Sequence, residues 1–478
     1  MKKIIFSIAV FSVLSACHKQ EYYQVNPNAP TVTTPALLLT GICYDLFRVD
    51  NTGAAFASRH LTYYERPNSD VNYGWNESEG YSDYATLRQV NQMEKLALSN
   101  NDKNYQALAK LFRAILFSRL SERFGDIPYR EALKGEEGID NPAYDTQEAV
   151  FAGLLQELDQ ANDLLTNATG SIGGDIIFAG NPKKWQQTVN AFTLRLLIHL
   201  SKKENNTTLN IKQRFSNIVN NAAKYPLMTS VDDNAQLKFN TSAPNNYYPT
   251  FNSNSVSSLV SMEKGFVKIL KDRKDQRLFY FADPIVGKAA NNFDNYEGVD
   301  AGLIISDQQN AATSASKIHR RYVQNEINEP WIFIGFAEQE LLIAEGITRG
   351  WASGSAQNRY NSGVRASMRS YGIGSIQMEQ YLSNPLNTLV PAKAIEQIII
   401  QKYIALFMHS GREPFLEQRR TGFPSFSTGP ATLNGGVIPK RWKYPQSEYQ
   451  YNKANLDAAI ARQYPGGDNV NGEMWILK

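Results

Sequence analysis

The sequence predicts a mainly α-helical protein of stacked helix pairs, with long irregular loops and little β structure. Three observations carry that expectation. Apolar residues recur at spacings of three and four in segment after segment. Cap-forming residues stand at the ends of several of these segments. Between them lie four long stretches, residues 61–80, 235–255, 283–331 and 422–452, that are polar and aromatic without a helical period.

Taken in order, Pro35 opens the first helix at an early helical position, where its missing N–H costs nothing. Residues 82–98 form a second. In residues 104–124, Tyr105, Leu108, Phe112, Ile115, Leu116 and Leu120 stack on one face, and Gly125 ends the run. Residues 146–165 follow with Thr146 as N-cap and the charged residues facing out. Segments 183–202, 209–224, 257–270, 336–349, 355–371 and 392–409 complete the set. Antiparallel pairs stacked into a curved, tetratricopeptide-like array would hold this many helices in one chain. No strict repeat of roughly 34 residues with the tetratricopeptide signature is present.

The N-terminus carries a different signal. Lys2 and Lys3 precede an apolar run over residues 4–14, closed by Leu14-Ser15-Ala16-Cys17. A basic start, a short apolar core and small residues before a cleavage point make a secretory leader. A cysteine in that place is the lipobox arrangement of bacterial lipoproteins, with Cys17 as the lipid-attachment residue. The apolar run is short of the ~20 residues a membrane span needs. The expected organisation is a signal peptide over 1–16, a lipidated tether over 17–34 rich in Asn, Pro and Thr, and one helical body over 35–478.

Composition narrows the partners. Hydrophobic residues make up 42% and charged residues 20%, the balance of a core-forming protein. A net charge of +3 with no basic block argues against nucleic acid. Apart from Cys17 only Cys43 is present, so no intramolecular disulfide is expected once Cys17 is lipidated. Cys43 sits in an apolar segment and reads as an inert buried thiol.

Several segments together resemble the SusD/RagB family of surface lipoproteins. Gln24-Val-Asn-Pro-Asn-Ala-Pro-Thr31 is similar to that family's mature start, and Glu122-Arg-Phe-Gly-Asp-Ile-Pro-Tyr-Arg-Glu-Ala-Leu133 to its Gly-Asp-x-Pro segment. Phe336-Ala-Glu-Gln-Glu-Leu-Leu-Ile-Ala-Glu345 resembles its acidic helix. Gln401–Phe407, then Arg412–Pro424, then Ile438-Pro-Lys-Arg-Trp-Lys-Tyr-Pro-Gln-Ser-Glu-Tyr-Gln-Tyr-Asn452 follow in the family's order. Lys274-Asp-Gln-Arg277 departs from its usual Asp-Pro-Arg, and Met474-Trp-Ile from its tandem tryptophan. The matched residues have a scaffold rationale of their own. Gly125-Asp-Ile-Pro is helix-stop and turn chemistry, and Glu338, Glu345, Arg419 and Arg420 have the charges to pair between helices.

The resemblance implies a surface-exposed outer-membrane lipoprotein that binds oligo- or polysaccharide for a partner SusC-like TonB-dependent transporter. The alternative ligand is an oligopeptide, as in RagB-like members, and a third reading is a surface glycan-degrading enzyme. The enzyme reading has little in the residues. None of the five histidines is followed by glutamate, and no Gly-x-Ser-x-Gly elbow, Walker loop or Cys-x-x-Cys occurs. No cofactor or metal is expected. Residues 294–300 are acidic enough for Ca²⁺ but do not fit the EF-hand spacing, and read as a solvated turn. His199, on an apolar run, reads as a satisfied core histidine, and Trp331 as core.

A sugar site needs aromatic platforms beside short polar side chains. Tyr63, Tyr64, Tyr73, Trp75, Tyr81 and Tyr84 lie interleaved with Arg66, Asn68, Asp70 and Asn72. Tyr81 and Tyr84 begin a helix and are expected to face inward, and the same reading is open for Tyr63 and Tyr64. Tyr73 and Trp75, flanked by Asn and Gly, are the expected surface platforms, with Asp70 beside them. Tyr247 or Tyr248, and Tyr296, are the second and third candidates.

Overall fold

The computed structural model describes residues 33–48, 51–75 and 80–478; the leader, Cys17 and the tether up to residue 32 lie outside them. Helix α1 (Pro35–Phe47) starts at Thr34, whose hydroxyl accepts from the Leu37 amide at 3.3 Å. A short helix α2 (Thr52–Ala57) and strand β1 (Leu61–Tyr63) follow. Then come α3 (Asp83–Ser99) and α4 (Lys103–Phe124), the latter capped by Asp102 and ended by Gly125 at φ 92°. Two-residue strands β2 (Ile127–Pro128) and β3 (Tyr144–Asp145) flank a surface loop. They lead into α5 (Gln147–Leu165), where the Thr146 hydroxyl accepts from the Ala149 amide at 3.2 Å. Helices α6 (Pro182–His199) and α7 (Ile211–Asn220) complete the first half.

The second half mixes short pieces with long helices: β4 (Ala235–Leu237), α8 (Asn254–Leu259), β5 (Val260–Met262), α9 (Lys264–Asp272), α10 (Leu278–Phe281), α11 (Ile305–Ala312), α12 (Arg321–Gln324) and β6 (Trp331–Ile334). Helices α13 (Phe336–Thr348), α14 (Ala356–Ser370), α15 (Ser375–Ser383), α16 (Ala394–Ala405), α17 (Glu413–Thr421), α18 (Gln446–Tyr451) and α19 (Lys453–Gln463) follow.

Helix α3 packs on α4, α4 on α5, α5 on α6, and α6 on α13, which also carries α14 and α16. The expected stack of helix pairs is therefore present. Strands among the described residues form three two-stranded antiparallel sheets, β1–β5, β2–β3 and β4–β6. None of the described helices is long and apolar enough to cross a membrane. Cys43 is buried in α1, as its apolar setting predicts.

One helix expected from periodicity, residues 257–270, is broken. Val260–Met262 leaves the helix to pair with Leu61–Tyr63, and Glu263 starts α9 by accepting from the Gly265 and Phe266 amides at 2.5 and 3.2 Å. Tertiary pairing and a strong cap outweigh the helical period. The long loops are also not structureless. Ala431 N donates to Gly302 O at 3.2 Å, Leu433 N to Asn72 O at 2.7 Å and Trp442 N to Arg123 O at 3.0 Å, so distant loops brace one another.

Candidate functional site

After β1 the chain turns sharply. The Asn68 side chain accepts from the Asp70 and Val71 amides at 2.9 and 3.1 Å, and Asn72 Oδ1 accepts from the Asn68 amide at 2.7 Å. These side-chain turns swing the following residues inward. Tyr73 is wholly buried in a left-handed conformation (φ 51°), its hydroxyl donating to Ala57 O at 2.7 Å and its ring under the Arg59 guanidinium at 4.1 Å. Trp75 stacks on Trp442 at 4.1 Å and meets Phe415 edge-on at 5.0 Å. Its indole N–H donates to Asp70 Oδ1 at 3.1 Å, and Arg412 grips the same carboxylate at 2.8 and 3.4 Å. Gly53 permits this approach: a Cβ there would lie 2.7 Å from Asp70 Oδ2.

The expectation that Tyr73 and Trp75 are surface platforms is thus corrected. Their partners, Phe415 and Trp442, lie far along the chain and bury both rings. Asp70 is half-buried and held by an indole and a guanidinium. Tyr248 is buried against Phe239 and Tyr322, and Tyr296 is buried against Phe279. Neither ring presents a face. Of these aromatic candidates only Tyr247 stays half-exposed, packed edge-on to Phe251 at 5.4 Å. Asp70, Tyr73 and Trp75 come together; Tyr247, Tyr248 and Tyr296 do not join them in one surface.

What the first candidate loop does build is a groove of about 480 Å³ between residues 63–69 and residues 255–260. Phe56 and Tyr63 supply apolar surface, and Arg66, Asn68, Ser69 and Ser255 supply donors and acceptors along it. Arg66, Ser69 and Ser255 are exposed, and the β1–β5 pairing fixes the two sides relative to each other. The sequence marks Arg66 and Asn68 as polar partners of aromatics. Phe56 and Ser255 carry no such signal, because only the β1–β5 pairing brings them alongside.

Deeper in, charged side chains form a buried seam. Arg195 on α6 donates to both oxygens of Glu338 on α13 at 2.8 and 2.6 Å. Lys402 on α16 reaches Glu413 at 2.6 Å, Glu338 at 3.3 Å and Glu417 at 3.4 Å. Arg420 on α17 holds Glu345 at 2.7 and 2.8 Å. His199 is bonded on both nitrogens, to Glu122 and, at 2.9 Å, to Glu413. Burial opposes its charge, but Glu413 and Glu122 outweigh burial and hold its pKa well above the usual range. It is the satisfied core histidine that the apolar run predicts. His199, Glu413 and Glu417 approach one another closely enough for a metal cage, but the Lys402 ammonium and the His199 imidazolium already supply the cations. Arg419 departs from the expected ion pairing. It donates to the main-chain oxygens of Glu122 and Lys440 at 2.6 and 2.9 Å, and burial lowers its pKa to about 10.

The helix stack recurs in known proteins. A family model described as starch-binding and associating with the outer membrane, SusD-like, matches residues 27–445. The chain belongs to the SusD-like family. A SusD homologue from Bacteroides fragilis is 38% identical, with a TM-score of 0.85 over 94% of this chain and 100% of that one. A second from the same species is 32% identical, with a TM-score of 0.86 over 93% and 100%. A chitin-binding SusD homologue from Flavobacterium johnsoniae shares the fold at 21% identity, with a TM-score of 0.76 over 93% and 98%. No curated protein matches the sequence. The SusD-like segments named from sequence now have positions. Glu122–Leu133 ends α4 and enters β2, Arg412–Pro424 carries α17, and Trp442 is the far wall of the Trp75 stack.

Proposed function

We propose that this SusD-like protein is a cell-surface outer-membrane lipoprotein, anchored through Cys17, that binds oligo- or polysaccharide and hands it to a SusC-like TonB-dependent transporter. One observation carries the binding site: the groove floored by Phe56 and Tyr63 and edged by Arg66, Asn68, Ser69 and Ser255. Sugar rings have apolar C–H faces and hydroxyl edges, and this groove offers an apolar floor with short polar side chains at its rim. The family description as starch-binding and associated with the outer membrane supports the ligand class and the location. The leader ending in Leu-Ser-Ala-Cys supports the anchor. Binding rests on hydrogen bonds along the rim and on contact with the edges of the two buried rings, with no covalent step, and the buried carboxylates of the seam are occupied by lysine, arginine and histidine.

Isothermal titration with maltoheptaose and with chitohexaose tests the reading. Saturable binding to one of them that weakens about fivefold in Arg66→Ala and in Tyr63→Ala is the expected result, since each removed contact is worth roughly 1 kcal/mol. Binding that is indifferent to both changes removes the groove from the site. Saturable binding of a peptide pool with no glycan binding replaces the ligand class. Release of new reducing ends by the purified protein overturns the non-catalytic reading. Membrane association lost in Cys17→Ser is the expected outcome for the anchor.

A further inference from the structure

Asn-Gly occurs twice in the chain, at Asn434-Gly435 and at Asn471-Gly472. The fold brings these two dipeptides together. Asn434 Nδ2 donates to Asn471 Oδ1 at 2.6 Å, and Asn471 Nδ2 returns a bond to Asn434 Oδ1 at 3.2 Å. Asn434 Nδ2 also donates to Val437 O at 3.0 Å, and a Lys440–Glu473 ion pair at 2.8 Å joins the same two segments.

An asparagine followed by glycine is set up for an intramolecular reaction, because glycine has no Cβ to shield its amide nitrogen. That nitrogen can attack the carbonyl carbon of the asparagine side chain. In the clasp each side-chain amide donates to the other's carbonyl oxygen, where negative charge develops during such an attack. The electrophiles are therefore alike.

The nucleophiles are not. Gly472 N is held by Asn469 O at 3.2 Å, and Asn471 N by Asn469 Oδ1 at 3.0 Å. Gly472 is also hemmed in, since a Cβ there would lie 3.0 Å from the Tyr464 ring. Gly435 N makes no hydrogen bond among the described residues. Val437 N donates to Asn434 O at 3.2 Å, which closes the turn around Gly435 without using its nitrogen. Gly435 and Gly436 are exposed, left-handed at φ 63° and 78°, and a Cβ on either would meet nothing within 4 Å. Backbone with so few neighbours moves readily, and water reaches it.

We propose that Asn434 is a site of spontaneous deamidation that opens the clasp between residues 433–437 and 469–473. Gly435 N bonds to Asn434 Cγ, its proton passes through water to the departing Nδ2, and ammonia leaves a cyclic succinimide. Water then opens that ring at either carbonyl, which gives aspartate or isoaspartate. The product sets a carboxylate against two acceptors, Val437 O and Asn471 Oδ1, in place of the amide that donated to both. The effect reaches the neighbouring turn. Leu433 donates to Asn72 O at 2.7 Å and lies against Gly74, so the strap that loosens is the one bracing Tyr73 and Trp75. This chemistry is independent of the glycan groove.

Incubation of the folded protein at mildly alkaline pH, followed by peptide mapping and isoaspartyl methyltransferase labelling, tests the assignment. The expected result is isoaspartate, and the mass gain of an amide turned to an acid, on the peptide carrying Asn434. Asn471 should convert at least about fivefold more slowly, the factor for releasing one held amide. In urea, with the clasp and the Gly472 bond gone, the two sites should react at comparable rates. Asn434→Gln, whose longer side chain disfavours the same ring closure, should abolish the mass gain on that peptide. Asn434→Asp carries the charge of the product, and hydrogen exchange over residues 433–437 should quicken in it. Equal conversion of the two sites in the folded protein, or earlier conversion of Asn471, overturns the assignment. So does an Asn434 that stays intact in the folded protein while the chain in urea converts. Unchanged exchange in Asn434→Asp overturns the opening of the clasp.

Discussion

The helix stack and the loop face bury similar residue types by opposite means. In α4 the period of the sequence alone places Leu108, Phe112 and Ile115 in the core, and its neighbours in the stack, α3 and α5, are its neighbours in the chain. On the loop face Tyr73 and Trp75 are buried just as fully, but by Phe415 and Trp442, which arrive from the other end of the molecule. A stretch rich in aromatics and short polar residues is therefore ambiguous when read locally. It becomes a ligand platform only where no distant segment covers it.

The two regions also differ in what holds them. The stack is pinned by the buried ion seam, the loop face by aromatic stacking. Removing the hub of the seam gives the largest expected effect. Glu413→Ala leaves Lys402, His199 and Arg195 without their shared carboxylate, and a loss of about 5 kcal/mol is expected in urea unfolding, at the top of the range for breaking buried ion pairs. Trp75→Ala comes next, at about 3 kcal/mol, as a large cavity against Trp442. A Trp75→Ala protein of parental stability would return that ring to the surface and undo the comparison.

A third test uses protons. His60 lies in the aromatic core against Tyr403, Phe266 and Phe407, and burial lowers its pKa to about 3 even though it bonds the Tyr403 carbonyl; His409 is likewise lowered to about 3 by burial. Unfolded, each returns to about 6.5. The unfolded chain thus binds more protons between these values. Stability is full above pH 6.5 and falls by about 1.4 kcal/mol per pH unit for each histidine as the pH drops towards 3. His199 runs the other way: its raised pKa supports the fold below 6.5, and that support fades as the pH climbs through its elevated value. His60→Gln should flatten the acid limb by one proton in unfolding curves taken between pH 7 and 4. An unchanged slope would place His60 among charged neighbours after all. The smallest effect belongs to Tyr247→Ala, which should cost under about 1 kcal/mol because the ring is half-exposed.

How much was legible follows from the same contrast. Thr146, Asp102 and Gly125 mark helix ends by local chemistry, and α4, α5, α6, α13 and α14 fall within a few residues of their sequence periods. Residues 257–270 misled because the strand partner of Val260–Met262 is Leu61–Tyr63, invisible in a local window. The site failed for the same reason in reverse. Trp75 looked exposed between Gly74 and Asn76 because nothing nearby in sequence announces Trp442. The groove was half legible: Arg66 and Asn68 stood out, whereas Phe56 and Ser255 needed the β1–β5 register.

The bond between Asp70 and Arg412 joins residues 342 positions apart. Closing so long a stretch of chain is entropically costly, and contacts of such separation form slowly. The helix pairs can assemble from neighbours as the chain emerges, while the loop face has to wait for its final quarter. A chain cut before Phe415 would keep α3 to α6 and yet leave Trp75 without either ring that covers it, a greasy edge exposed for as long as its lid is missing. Folding order here is written into which residues meet last.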